Sequence, residues 1–369
     1  MTKRLAPFGV VLAVACAVIA ASTPSSAEKM RTEPVMRGAL WWLTGVYAEG
    51  PEEKLEAAIQ AQADVGFTLL WLCNTSPLLQ RALEAAESGQ NWDRLETIYR
   101  IASEKDMGVI ADLPQGGWYG QASREKIEAK VLPHIQAYAE RYGQHDSFYG
   151  WYLNYEINPI QPSANGESAF WRGLWRTLVE ACHEAVPGSK VTISPFFLLD
   201  TKGHRGFEYL APEVWAEWWR KTLKETGIDV MMLQDSGEHM AFYSNKEREP
   251  FFAAMAEACR DAGTAFWVNV ETGELDHADW DEYLSRPAPD AGPWRFTPME
   301  DLESKLRLAA RYGEKIVNWG YFPFMDPAAP PGAGEPFFSD GELNPEANYE
   351  AYQTYYERFV EAGADKAGE

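Results

Sequence analysis

Residues Phe148–Asn158 read FYGWYLNYEIN, an aromatic, strand-forming run whose far end carries Asn154 and Glu156. These two residues are two apart, so in an extended chain they share one face. Seven other short apolar runs have the same character: Gly38–Gly45, Phe67–Cys73, Gly108–Leu113, Lys190–Phe197, Asp229–Asp235, Thr264–Glu271 and Lys315–Met325. Near-continuous apolar runs of this length fit parallel strands covered on both faces. Between them lie helical patterns. The first opens at Pro51-Glu52-Glu53, with proline and acids suited to a first turn. Others cover Asn91–Asp106, Ser123–Tyr142, Glu167–Ala185, Ala211–Glu225, Asn245–Ala262, Thr297–Tyr312 and Pro345–Ala362. Strand starts recur every 29 to 51 residues. Eight such units predict an α/β protein, a single-domain (β/α)8 TIM barrel. An open doubly wound sheet is the alternative, but no glycine fingerprint follows the first strand.

Barrels of this kind carry their chemistry at the C-terminal ends of strands. The polar groups there are few. Strand four offers Asn154 and Glu156, strand seven Asn269 and Glu271, and strand six Gln234-Asp235. Strand eight holds Asn318, and Asp112 and Asn74 sit near other strand ends, where a structural role is the simpler reading. Two glutamates on strands four and seven, each preceded by an inward asparagine, form the most specific pattern in the chain. Glycoside hydrolysis needs such a pair: one carboxylic acid protonates the leaving oxygen, and the other attacks the anomeric carbon or activates water.

On these residues the chain resembles clan A of the retaining glycoside hydrolases, (β/α)8 enzymes with catalytic glutamates after strands four and seven. The resemblance implies that Glu156 is acid/base, that Glu271 is nucleophile, and that Trp319 floors a sugar subsite. One position departs from the clan pattern, because Tyr155 stands between Asn154 and Glu156. Gly150-Trp151-Tyr152 with Glu156, Ser194-Pro195-Phe196-Phe197, Gln234-Asp235-Ser236-Gly237 and Val270-Glu271 also look like pieces of an uncharacterised bacterial family of glycosidase-type barrels.

Substrate contacts are expected from Asn154, Asp235 and Asn269, and stacking on sugar faces from Trp42, Trp118, Tyr119, Trp319 and Tyr321. Core or loop packing is the alternative for each aromatic. Asp235 can orient a substrate hydroxyl or simply receive backbone N–H groups. Gln115–Gly120 lacks the Lys-Ser/Thr of a phosphate loop. Two other functions stay open. One is a carbohydrate-binding barrel without turnover. The other is a metal-dependent sugar isomerase-like or hydrolase barrel, with His204, His239 and His277 joining Glu156, Asp235 and Glu271. No HxH or HxxE spacing supports a metal, and the glycosidase reading needs no cofactor.

The 369 residues are 46% hydrophobic and 24% charged, with mean hydropathy −0.37, an ordinary globular composition. A net charge of −22 and a pI near 4.7 argue against nucleic acid and anionic membranes as partners, and the glutamate pair with the clan resemblance implies a carbohydrate substrate. Some of the fifteen tryptophans must fill the core, and a surplus over that need suggests flat apolar platforms at a binding site. Residues 1–27 read as a signal peptide: Lys3 and Arg4, an apolar stretch from Phe8 to Ala21, then small residues at Ser25 and Ala27. The stretch is short for a membrane span. A lipoprotein would need Cys16 after a lipobox, and Ala13-Val14-Ala15 is a poor one. The mature barrel is expected at residues 28–369, secreted or periplasmic, with no stable membrane insertion once the signal is cut. Its three cysteines, Cys73, Cys182 and Cys259, form no disulfide framework and suit apolar packing.

Overall fold

The computed structural model describes residues 30–114, 122–206, 208–288, 292–329 and 343–367. Eight parallel strands close into a barrel. They are β1 (Gly38–Trp42), β2 (Leu69–Cys73), β3 (Gly108–Asp112), β4 (Phe148–Leu153), β5 (Lys190–Ile193), β6 (Val230–Gln234), β7 (Ala265–Glu271) and β10 (Lys315–Trp319). An antiparallel hairpin of β8 (Gly273–Leu275) and β9 (Trp294–Phe296) intervenes after β7. Barrel strands neighbour one another in chain order, and β10 closes against β1. The fold is the single-domain TIM barrel that the strand spacing predicts.

Helices α1 (Val46–Glu49) and α2 (Glu52–Asp64) follow β1, and α3 (Thr75–Glu87) and α4 (Arg94–Glu104) follow β2. After β3 come α5 (Arg124–Lys126), a π turn at Ile127–Val131 and α6 (Leu132–Tyr142). Next are α7 (Asn165–Ala185) after β4, α8 (Pro212–Thr226) after β5, and α9 (Gly237–Met240) and α10 (Asn245–Ala262) after β6. The hairpin connection holds α11 (Trp280–Ser285), followed by α12 (Met299–Tyr312). Finally α13 (Tyr321–Phe324) and α14 (Pro345–Ala367) follow β10. Local chemistry sets several ends. Ser244 and Glu247 form a reciprocal capping box on α10, which stops at Gly263 in the left-handed region.

Alternation along the strands separates two cores. Leu40, Trp71, Ile110, Tyr152, Met232 and Trp267 fill the barrel interior. Their neighbours Trp41, Leu70, Leu72, Val109, Trp151 and Val268 pack outward among the helices. A bulge between β3 and β4 resets this phase, with Val109 opposite Phe148 but Ile110 opposite Gly150. A Cβ on Gly150 would lie 1.9 Å from the Lys190 carbonyl oxygen, so only glycine fits. Beyond the bulge Tyr152 points inward, and Asn154 and Glu156 follow at the barrel mouth.

The structure differs from the sequence expectation mainly at strand ends. β4 stops at Leu153, β5 at Ile193 and β10 at Trp319, so Glu156 lies on the βα connection rather than the strand. Helix α3 and the β8–β9 hairpin are additions. Cys73, Cys182 and Cys259 are free and buried. Among the described residues, no helix is long and apolar enough to cross a membrane.

Candidate active site

Glu156 and Glu271 border one cavity of about 210 Å³ at the C-terminal mouth of the barrel. Its walls come from the connections after β4, β5 and β6. Phe196, Leu198 and Met240 supply apolar surface, Arg205 and Glu238 supply charge, and the His239 imidazole lies among them. β4 and β7 lie three steps apart around the ring, so their ends reach the mouth from different sides.

Each glutamate is held by β6 or the turn after it. Gln234, the last residue of β6, donates its Nε2 to Glu156 Oε1 at 2.9 Å and to the Ser194 carbonyl at 2.8 Å. The backbone N–H of Glu238 donates to Glu271 Oε2 at 2.5 Å. Burial raises the Glu156 carboxyl above its ordinary range, and the Gln234 hydrogen bond opposes this. Glu271, only 2% exposed, is pushed well above the carboxylate range. Burial is the largest cause, followed by the charges of Asp235 and Glu238. The Glu238 N–H and the Lys305 ammonium work the other way.

Other expected site residues divide. Asn269 points into the barrel below the cavity, and its Nδ2 donates to Ser194 Oγ at 3.0 Å. Asn154 Nδ2 lies 3.5 Å from Asp112 Oδ2, which draws it toward β3. Asp112 is itself structural: it accepts from the Asn74 and Thr75 N–H groups and from Thr75 Oγ1, securing a left-handed turn at Asn74. Asn318 is buried, and its Oδ1 accepts from Thr272 Oγ1. Asp235 takes the backbone option. Its Oδ1 accepts the Gly237 N–H at 2.9 Å, and its Oδ2 lies 3.0 Å from Lys305 Nζ.

Among the aromatics, Trp42 ends β1 and is 37% exposed at the mouth. Trp319 pairs in register with Glu271 and is partly exposed, with Trp294 and Phe324 against its ring. Tyr321 is corrected to a core residue. Gly320, at φ 99°, turns the chain there, and the Tyr321 ring packs edge-on against Phe67 with no exposure. Trp118, Tyr119 and the Gln115–Gly120 loop lie outside the described residues.

The histidines do not converge. His239 borders the cavity, His204 lies beside Trp280, and His277 is buried beside Tyr283. Among the described residues, no three His, Cys, Asp or Glu side chains are grouped to hold a metal ion.

Sequence reasoning missed Glu238 and Lys305 and gave Gln234 no role. Gln234 was readable, since it shares strand parity with inward-facing Met232. Lys305 also left a signal. It stands on the apolar stripe Leu302, Leu306 and Ala309 of α12, an expensive place for a charge. Glu238 depends on how the turn after β6 folds, which spacing does not encode.

A family model described as a domain of unknown function, DUF4434, matches residues 51–331. No curated protein matches the sequence. Among solved structures, a provisionally assigned alpha-L-fucosidase from Bacteroides thetaiotaomicron VPI-5482 aligns with TM-score 0.64 and 16% identity, over 94% of this chain and 99% of that one. A GH10 endoxylanase from a sugarcane soil metagenome gives 0.51 and 14%, over 87% and 97%. A glycoside hydrolase family 5 protein from Bacteroides vulgatus ATCC 8482 gives 0.53 and 12%, over 84% of this chain and 63% of that one. At these identities the likeness is one of fold.

Proposed function

The chain belongs to the DUF4434 family, and from that premise and its paired carboxylates we propose that it is a glycoside hydrolase acting on an oligo- or polysaccharide. The observation that carries this reading is that Glu156 and Glu271, from the connection after β4 and the end of β7, border one cavity. The barrel is shared with glycosidases of several kinds, which supports the same class without naming a sugar.

In this reading Glu156 is the acid/base. Burial favours its protonated form, which is what donation to a leaving oxygen requires. Glu271 is the nucleophile of a retaining mechanism. Its Oε2 is fixed by the Glu238 N–H, leaving Oε1 to attack the anomeric carbon as the glycosidic bond breaks. Water then attacks the glycosyl-enzyme, with Glu156 taking its proton. Trp42 and Trp319 are candidate stacking surfaces. Residues 1–27 act as an export signal, and the barrel works outside the cytoplasm; Lys3, Arg4 and the apolar stretch ending at Ala21 support this.

The test is hydrolysis of a broad panel of polysaccharides and aryl glycosides, with and without EDTA. Turnover that resists EDTA and is lost in Glu271→Gln supports the proposal. Saccharide binding without turnover points to a binding barrel, and loss of turnover with EDTA points to a metal enzyme.

A further inference from the structure

Lys305 belongs to α12, outside the barrel, yet its side chain is only 6% exposed and reaches beneath Glu271. Its Nζ lies 3.0 Å from Asp235 Oδ2, itself buried, and donates to the Glu271 backbone carbonyl at 2.5 Å. Desolvating two charges is costly, and apolar residues of similar volume often replace such a pair without loss of stability. Packing alone therefore gives no reason for this pair.

That ion pair and the surrounding hydrogen bonds form a closed ring. Lys305 holds the main chain of Glu271 and the carboxylate of Asp235. Asp235 accepts the Gly237 N–H and so fixes the turn from Asp235 to Glu238. Glu238 in turn donates its N–H to the Glu271 carboxylate. The turn is tightly built. Ser236 adopts φ 58° and bonds to the Phe197 carbonyl, and a Cβ on Gly237 would lie 2.5 Å from Lys305 Nζ.

We propose that Asp235 and Lys305 are positioning residues for Glu271: they hold its backbone and the turn that grips its carboxylate. The assignment deepens the reading of Glu271 as nucleophile and rests on it. It also answers a difficulty, because burial and the neighbouring acids oppose ionisation of Glu271 while Lys305 favours it. The charged groups around Glu271 are Asp235, Glu238 and Lys305, with Glu156, His239 and Arg205 bordering the same cavity.

The experiment requires no substrate. Protein labelled with side-chain ¹³C-carboxyl glutamate is titrated by NMR, and the Glu271 resonance is identified by its loss in Glu271→Gln. Lys305→Met is expected to raise the Glu271 titration midpoint, and Asp235→Asn to lower it, each by about one pH unit. Those shifts report the two charges; positioning is read from crystal structures of the same variants, where a Glu271 carboxylate displaced from the Glu238 N–H supports the proposal and an unmoved carboxylate overturns it. Either single variant can fail to fold, since each leaves a buried charge without its partner. The double variant Lys305→Met/Asp235→Asn buries no unpaired charge, and its crystal structure decides in that case. A Glu271 carboxylate displaced from the Glu238 N–H supports the proposal, and an unchanged pose sinks it. Failure of the glycosidase reading shows separately, as a glycosyl-enzyme formed on another residue or a fully active Glu271→Gln.

Discussion

A carboxylate attacks only when ionised, and a second carboxyl donates only when protonated, so the proposed roles make opposite demands on buried Glu271 and half-buried Glu156. Glu271→Gln keeps size and removes charge. Turnover is expected to fall by about three orders of magnitude or more, with no glycosyl-enzyme trapped by a fluorosugar. An equally active variant would end the nucleophile assignment. Glu156→Ala is expected to spare activated aryl glycosides in the first step and to regain turnover with azide, a small anion that needs no general base. Equal loss on activated and unactivated substrates, without azide rescue, would reject the acid/base role. At this scale the sequence exposed the two glutamates because an acid at or just past the end of an apolar run is expensive to shield from water and therefore conspicuous. It was less informative about aromatics. Trp319 and Tyr321 are two residues apart, yet the turn at Gly320 leaves one at the mouth and drives the other into the core. Periodicity does not foresee that rotation.

Elements place these residues, and the turn after β6 does so most tightly. Gly237→Ala puts a methyl against Lys305 and Asp235, where both atoms are pinned by their own contacts. The expected result is activity reduced by about tenfold or more, from loss of near-attack geometry, in a protein that still unfolds cooperatively. Kinetics paired with urea unfolding checks this, and unchanged kinetics would show that the turn tolerates the shift. The eight strands were legible because each is a run of apolar residues ended by a turn. Their last residues were not, because Ser194–Phe197 and Asn154–Asn158 continue the strand-like composition beyond the last paired residues, Ile193 and Leu153. Helix α3 shows the reverse case. Leu78, Leu79, Ala82 and Ala85 are a buried helical stripe, but the long interval between strands two and three was read as one helix rather than two. The β8–β9 hairpin joins segments 18 residues apart through Glu274–Arg295 and Glu274–Thr297 contacts, a pairing that no local pattern announces.

The whole barrel depends on a seam where its first and last units meet. Ala39 pairs with Asn318 there, and the chain ends reinforce it: the Met36 N–H donates to Tyr352 Oη, and Tyr355 donates to the Pro34 carbonyl. At the mouth the seam is tied by Tyr47 of α1, which donates to Asp326 Oδ2 at 2.5 Å across 279 residues of sequence. Asp326 has no solvent exposure, and burial pushes its carboxyl up to about 6, against the opposing hydrogen bonds from Tyr47 and Ala328. A carboxyl raised in the folded state binds more protons there than in the unfolded chain. Its contribution to stability is therefore full below the unfolded value near 3.8 and is lost as pH rises through about 6. The difference corresponds to about 3 kcal/mol by linkage. Every other acid titrates as well, so the absolute pH profile of the protein is not diagnostic. The comparison with Asp326→Asn is, because the shared groups cancel. Between pH 4 and pH 7 the stability of Asp326→Asn relative to the parent is expected to improve by about that amount, whatever the amide costs in lost acceptor geometry at either end. Urea unfolding of both proteins at the two pH values measures it. Parallel pH profiles would mean that Asp326 titrates alike in the folded and unfolded chains, and that the tie between the first and last units of the barrel is insensitive to its charge.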